Sequence, residues 1–213
     1  MEKVIYSKFN KKDIQALPRA VFEGRIFVIT TAAEAEKAVD YLLTQDILGI
    51  DTETRPSFKK GHSNEVALLQ VSTRDTCFLF RLNHIGMTQP IIRLLEDVHV
   101  PKIGLSLRDD IHSLHKRADF IPGNFIDLQK HVCEVGVEDL SLQKLYANFF
   151  HKKISKSVRL SNWECDVLSE SQKLYAATDA WACIRLYEEL RHLEDTGEYE
   201  LIKTDDDKID ANV

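Results

Sequence analysis

The chain has no apolar run long enough to span a bilayer, which excludes a helical membrane protein. Its opening segment, MEKVIYSKFNKKDIQ, has no apolar stretch ahead of a small-residue cleavage site, so no secretory signal is read there. A cytoplasmic protein without membrane contact is expected, or a nuclear one in a eukaryote. Cysteine is sparse: Cys77, Cys133, Cys165 and Cys183 lie far apart with no Cys-x-x-Cys pair. That pattern excludes a disulfide framework and a cysteine zinc site, and it fits reduced thiols. No Ser-His-Asp pattern, internal repeat or long low-complexity segment is present. His112, His115, His131 and His151 show no metal-ligand spacing tied to the acidic residues discussed below, and read as structural or surface groups.

An excess of basic residues is also lacking. Lys and Arg total 28 against 34 Asp and Glu, for a net charge of −6. Nucleic-acid binders usually carry a basic footprint, so the balance argues mildly against one. Part of the negative charge, however, sits in the tail from Thr204 to Asp210. An acidic metal site also adds negative charge that bound cations cancel. The net charge therefore excludes little.

What is present fits a soluble globular domain. The length of 213 residues, 44% hydrophobic content and 29% charged content allow one domain with a substantial core. Residues 1–24 read as a leader packed on the domain edge, 25–195 as the domain, and 196–213 as an acidic tail expected to be disordered. Strands are predicted at Arg25–Thr30, Ile47–Glu53, Val66–Ser72, Thr76–Leu82, Lys102–Leu105 and Asn124–Asp127. The second and third of these flank a loop rich in Pro, Lys, Gly and Ser, Arg55–Asn64. The third and fourth form a hairpin around Ser72–Asp75. Helices are predicted at Ala32–Leu43, Pro90–Glu96 and Leu107–Arg117, with helical pattern from Leu128 and a long last helix, Ser169–Leu193. Strands interleaved with helices, plus a hairpin, indicate an α/β fold with a mixed sheet.

Acidic residues stand where these elements should be apolar. Strand alternation points Asp51 and Glu53 the same way, with Thr52 opposite. In the helix from Leu107, the stripe Leu107, Ile111, Leu114 and Ala118 is the buried face. At about 100° per residue Asp110 lies beside it, whereas Asp109 faces solvent. In the last helix Tyr175, Asp179, Ala182, Leu186, Leu190 and Leu193 form one stripe, with Asp179 inside an apolar face. A core-facing carboxylate is costly without a cation against it. Several of them, far apart in sequence, point to one site for a hard divalent metal.

The fragments Ile50-Asp-Thr-Glu53, Gly104-Leu-Ser-Leu-Arg-Asp-Asp110 and Tyr175-Ala-Ala-Thr-Asp179 resemble the three motifs of the DEDDy 3′→5′ exonucleases. That superfamily includes ribonuclease D and the proofreading domains of DNA polymerases. The run Lys156–Trp163, ahead of the last motif, resembles most nearly the exonuclease domain of the Werner syndrome protein. The resemblance covers roughly residues 25–195, in the correct order and spacing. Many proofreading enzymes have Asn four residues before the second-motif aspartate, where this chain has Ser106.

The resemblance implies a ribonuclease H-like fold, a mixed five- to six-stranded sheet flanked by helices, and two bound Mg²⁺ or Mn²⁺ ions. It implies that Asp51, Glu53 and Asp179 hold one metal, that Asp51 bridges to the second, and that Asp110 acts through metal-bound water. Tyr175 would orient the attacking water. The expected activity is 3′→5′ exonuclease hydrolysis at DNA or RNA 3′ ends. Any helicase partner would be a separate chain. A catalytically inactive nucleic-acid-binding or scaffold module is the alternative. Substrate contacts are expected from Arg55, Phe58, Lys59 and Lys60 in the loop after the acidic strand, and from Lys156, Arg159 and Trp163. Trp163 reads more readily as a packing anchor, and Leu68 and the pair Phe149-Phe150 as core.

Overall fold

Six strands join in the order β2-β5-β4-β3-β6-β7. The computed structural model describes residues 2–59, 61 and 63–204. In chain order the elements begin with β1 (Lys3–Tyr6), α1 (Lys11–Ile14), β2 (Arg25–Ile29), α2 (Ala32–Leu42) and β3 (Leu48–Thr54). The hairpin β4 (Val66–Ser72) and β5 (Thr76–Phe80) follows, then α3 (Leu82–Ile85), α4 (Gln89–Glu96) and β6 (Lys102–Gly104). The remainder is α5 (Leu107–His115), β7 (Phe125–Asp127), α6 (Leu128–Glu134), α7 (Leu142–Phe150), α8 (Glu170–Thr196) and β8 (Tyr199–Ile202). The sheet is mixed, as expected: β4 pairs antiparallel with β3 and β5, and the other pairings are parallel. No helix among the described residues is long and apolar enough to cross a membrane.

Strand alternation sorts the core into two layers. Leu48 and Ile50 of β3 join Val39, Leu42, Leu94 and Leu114 on the face covered by α2, α4 and α5. On the other face Leu68 of β4 meets Ala176 and Ala177 of α8. Helix α8 opens with a capping box in which Ser169 and Gln172 satisfy each other's backbone amides. It ends at Gly197, whose positive φ of 66° suits a glycine. Capping at both ends and burial along its length sustain a helix of 27 residues.

The chain ends differ from the sequence reading. Tyr199–Ile202, placed in the tail expected to be disordered, forms β8 and pairs in parallel with β1. The Asn148 side chain on α7 accepts from the Tyr6 amide at 2.9 Å and donates to the Tyr6 carbonyl at 2.7 Å. Two strands and a helix thus share one latch. The rest of the acidic tail, 205–213, lies outside the described residues. Two predicted elements also shorten: β5 stops at Phe80, where Leu82 starts α3, and α5 stops at His115.

Candidate active site

The site begins with an approach that only a glycine permits. A Cβ on Gly49 would stand 1.9 Å from the Ala180 carbonyl oxygen, so α8 rests directly on the β3 backbone. Gly49, Asp51 and Glu53 share that face of β3. The contact therefore lowers Asp179, the residue before Ala180, over the two strand acids. The Asp51, Glu53 and Asp179 carboxylates come together, with one oxygen from each within 4.8 Å of the others.

Asp110 arrives from the other face. Thr52 points away from Asp51 and Glu53, and its hydroxyl donates to Asp110 Oδ1. The path is open because β6 pairs with β3 only as far as Gly49↔Ile103. Beyond Gly104 the chain turns into α5 through Ser106, which takes a left-handed φ of 62°. The cost of that conformation is offset by Asp127, whose oxygens accept from the Ser106 amide at 3.0 Å and the Leu107 amide at 2.9 Å. Asp127 also caps α6 by accepting from the Gln129 amide at 3.0 Å, and Gln129 Nε2 donates to Ser106 Oγ at 2.6 Å. Sequence reasoning passed over Asp127; its position just before an apolar helical run is an N-cap signal. Asp109 is exposed, as the helical phase predicts, and Asp110 is partly buried.

All four acids are raised by burial, and Asp51 and Glu53 also by the charge of the others. Burial pushes Asp51 well above the usual carboxylate range, and Asp110, Asp179 and Glu53 add to it by charge. Glu53 is raised to about 9, by burial and then by Asp179, against the opposing charge of Arg159. Burial lifts Asp179 to about 7, partly offset by the Tyr175 hydroxyl, Lys156 and Arg159. Asp110 rises to about 6 through burial, opposed by its bond from Thr52. Burial and the same acids push the Tyr175 hydroxyl upward, which keeps it protonated. Asp179 Oδ1 is buried without a hydrogen-bond partner. Clustered acids, oxygen donors and an orphaned carboxylate oxygen fit a divalent cation, which would return them to the ionised form.

The expected substrate contacts divide. Lys156, Arg159, Tyr175 and Asp179 line one cavity of about 220 Å³ beside the acids. Burial lowers the Lys156 pKa, with help from the charge of Arg159. Phe58 is exposed and so is Lys59, whereas Lys60 lies outside the described residues. Arg55 is exposed but engaged, donating to Glu164 at 3.1 Å. Trp163 corrects the expectation of a substrate contact: it is fully buried, with Nε1 bonded to the Arg159 carbonyl and its ring 6.1 Å from that of Tyr175. It braces Tyr175 and Arg159 from behind, because an indole with its N–H satisfied packs well in a core. Leu68 and Phe149 are buried as expected.

A second grouping, His131, Glu134 and Glu194, lies between α6 and α8. There His131 Nδ1 sits 3.3 Å from Glu134 and 3.2 Å from Glu194, and Arg191 holds the other Glu194 oxygen at 2.7 Å. Its acids already have partners, whereas Asp179 Oδ1 has none among the described residues.

A family profile described as 3′–5′ exonuclease matches residues 26–193. The mouse bifunctional 3′–5′ exonuclease/ATP-dependent helicase WRN is 33% identical over 195 residues, covering 85% of this chain and 14% of that protein. An Arabidopsis thaliana 3′–5′ exonuclease is 31% identical over 194 residues, 84% of this chain and 67% of its own length. The Aedes aegypti Nibbler EXO domain superposes with a TM-score of 0.73 at 21% identity, covering 84% of this chain and 92% of that one. Escherichia coli RNase D does so at 0.70 and 18% identity, over 81% and 47%. The fold is thus the ribonuclease H-like fold of these exonuclease domains, and the chain spans only a small part of its mouse relative.

Proposed function

Because this chain belongs to the 3′–5′ exonuclease family, we propose that it removes nucleotides from the 3′ ends of DNA or RNA by hydrolysis assisted by two divalent cations, Mg²⁺ or Mn²⁺. One observation carries the reading. Three carboxylates from a strand and a helix converge within 4.8 Å, with the buried Asp179 Oδ1 lacking a hydrogen-bond partner among the described residues. Such a cluster is stable near neutral pH only when protonated or metal-bound.

When bound, the cations neutralise the phosphodiester, acidify the attacking water and stabilise the leaving 3′-oxygen. Asp51, Glu53 and Asp179 would hold them, and Asp110, kept in place by Thr52, would reach the second position through water. The Tyr175 hydroxyl stands beside Asp179 and orients the attacking water. Lys156 and Arg159, on the same cavity wall, take the phosphate oxygens. The exposed Phe58 ring offers a terminal base a stacking surface. No side chain needs to act as a nucleophile.

The mouse relative is named for exonuclease and helicase activities, and the RNase D neighbour is described as an exoribonuclease. The mouse protein carries its helicase on the same chain; a helicase acting with the present chain is a proposal only. An inactive module finds no support in a site that keeps all four acids. Digestion of 3′-labelled and 5′-labelled DNA and RNA oligonucleotides, with and without EDTA, tests the reading. Mononucleotide release from the 3′ end, abolished by EDTA, is the expected result. Digestion in excess EDTA, or of a circular substrate, overturns it.

A further inference from the structure

A larger cavity, of about 530 Å³, lies on another side of α8, between α7 and the segment 19–24. Its volume falls in the range of small-molecule sites, ~300–1,000 Å³. Arg185, on its wall, is six residues beyond Asp179, about 9 Å along the helix. The cavity opens at the β4–β5 turn, beside Arg74 and Asp75. That turn joins the strand ends remote from Glu53, since Gly49 pairs with Ser72 and Glu53 with Leu68.

Aromatic rings make its floor. Tyr146 lies 6.1 Å from Trp181 and 4.6 Å from Phe150, centroid to centroid. The Arg185 guanidinium stands 5.8 Å from the Phe150 centroid and 5.9 Å from that of Trp181. Hydrogen-bond donors without acceptors surround this floor. Tyr146 is 3% exposed, yet its hydroxyl has no partner among the described residues, nor does the Trp181 indole N–H. The side chains of Arg19, Lys152 and Arg185 form no ion pair among the described residues. By contrast, Arg74 is held by Asp46 and Glu188, and Asp75 accepts from the Thr73 and Thr76 hydroxyls. Among the described residues Glu23 is the one acid of the lining without a partner, against three such cations.

The Tyr146 hydroxyl, on a buried ring but open to the cavity, has a free donor that a ligand's acceptor can take. Three exposed cations without ion-pair partners among the described residues draw an anion, and a floor of rings suits a planar group. We propose that this cavity is a second, non-catalytic nucleotide site, with a base against Trp181 and Tyr146 and a phosphate among Arg19, Lys152 and Arg185. A free nucleoside monophosphate and a nucleotide within a strand present the same chemistry. The site stands on this cavity alone and does not require the proposed hydrolysis.

The two tryptophans of the chain separate the sites. Trp163 packs against Tyr175 at the acidic end, and Trp181 lines the cavity. The test is ¹⁹F NMR of the full chain labelled with 5-fluorotryptophan, in EDTA, with Trp181→Phe assigning the two signals. A nucleoside 5′-monophosphate, its nucleoside, inorganic phosphate, a phosphotyrosine peptide and a phosphorothioate single strand are titrated separately. The monophosphate or the strand is expected to shift the Trp181 signal saturably, at least ~10-fold more tightly than nucleoside or phosphate alone. Arg185→Glu and Arg19→Glu, both at exposed positions, should each weaken that response at least ~10-fold. Tighter binding of the strand identifies it as the source, tighter binding of the monophosphate identifies released product, and equal binding admits both. No Trp181 shift with either at about 10 mM overturns the proposal. So does an equal response to phosphate or nucleoside, indifference to both charge reversals, or a response to a phosphotyrosine peptide but to no nucleotide. A chain that digests nothing yet shows the Trp181 response removes the proposed hydrolysis and keeps this site.

Discussion

The Thr52 hydroxyl donates to the Asp110 carboxylate, so the residue between the two acids of β3 holds the acid that comes from α5. The bond keeps the Asp110 pKa below what burial alone would impose, at about 6. Thr52→Val removes it and should raise that pKa. At limiting Mn²⁺, where protons compete with the metal for the site, the acid limb of the kcat/KM–pH profile is then expected to move upward by about one unit, lowering activity roughly tenfold near that limb. Activity should recover above it, and Thr52→Ser should restore the profile. An unmoved limb would show that Asp110 is not held this way.

Stability should respond to pH through the same acids. Asp110, Asp179 and Glu53 are raised in the folded protein to about 6, 7 and 9. The native state therefore binds more protons than the unfolded chain between the ordinary carboxylate range and these values. Metal-free stability is highest at the acid end of that window and falls as pH rises through it. Thermal melts in EDTA should give a higher Tm at pH 5.5 than at pH 8.5, and Mn²⁺ should remove most of the difference. Asp51→Asn should abolish cleavage, leave the metal-free protein as stable or more so, and flatten the dependence. A large loss of Tm in that variant would mark Asp51 as structural.

Tyr175 calls for a milder change. Tyr175→Phe keeps the ring against Trp163 and removes the hydroxyl beside Asp179. Turnover should fall ~10²–10⁴-fold with oligonucleotide affinity and melting temperature near those of the parent. Cleavage at the parental rate would assign water positioning to another group.

Asp127 is the prediction furthest from the reacting atoms. It accepts from the Ser106, Leu107 and Gln129 amides. Asp127→Ala leaves those donors without their acceptor and should cost about 1–3 kcal/mol in urea unfolding. It also frees the turn that aims Asp110, so turnover should fall more than substrate affinity. Asp127→Asn, which can serve two of the three amides, should lie between.

The acids were legible because each is an exception to a local period: Asp51 and Glu53 in a strand, Asp179 in an apolar helical stripe. Strand and helix bounds near them agree within a few residues for the same reason. The β1–β8 pair was not legible, since Lys3 and Tyr199 meet across nearly the whole chain and neither segment has a strong period. Nor was the roundabout approach of Asp110. Helical phase gave its direction, but its bond to Thr52 depends on β6 stopping early and on the left-handed Ser106. Trp163 stood among the candidate contacts because of its neighbours Lys156 and Arg159, and its burial bears out the reading of it as a packing anchor. Lys60 and residues 205–213 lie outside the described structure.

The contact between Gly49 and Ala180 has a consequence for how such a site can vary. Backbone rests on backbone there, so the height of Asp179 over β3 is set first by the Gly49–Ala180 approach, with the Ile184 side chain beside it. Apolar residues around α8 can exchange volume with one another while the spacing of the three carboxylates holds. Sequence drift in the core and constancy at the acids are thereby uncoupled, and the whole tolerance of the arrangement is concentrated on one missing methyl group.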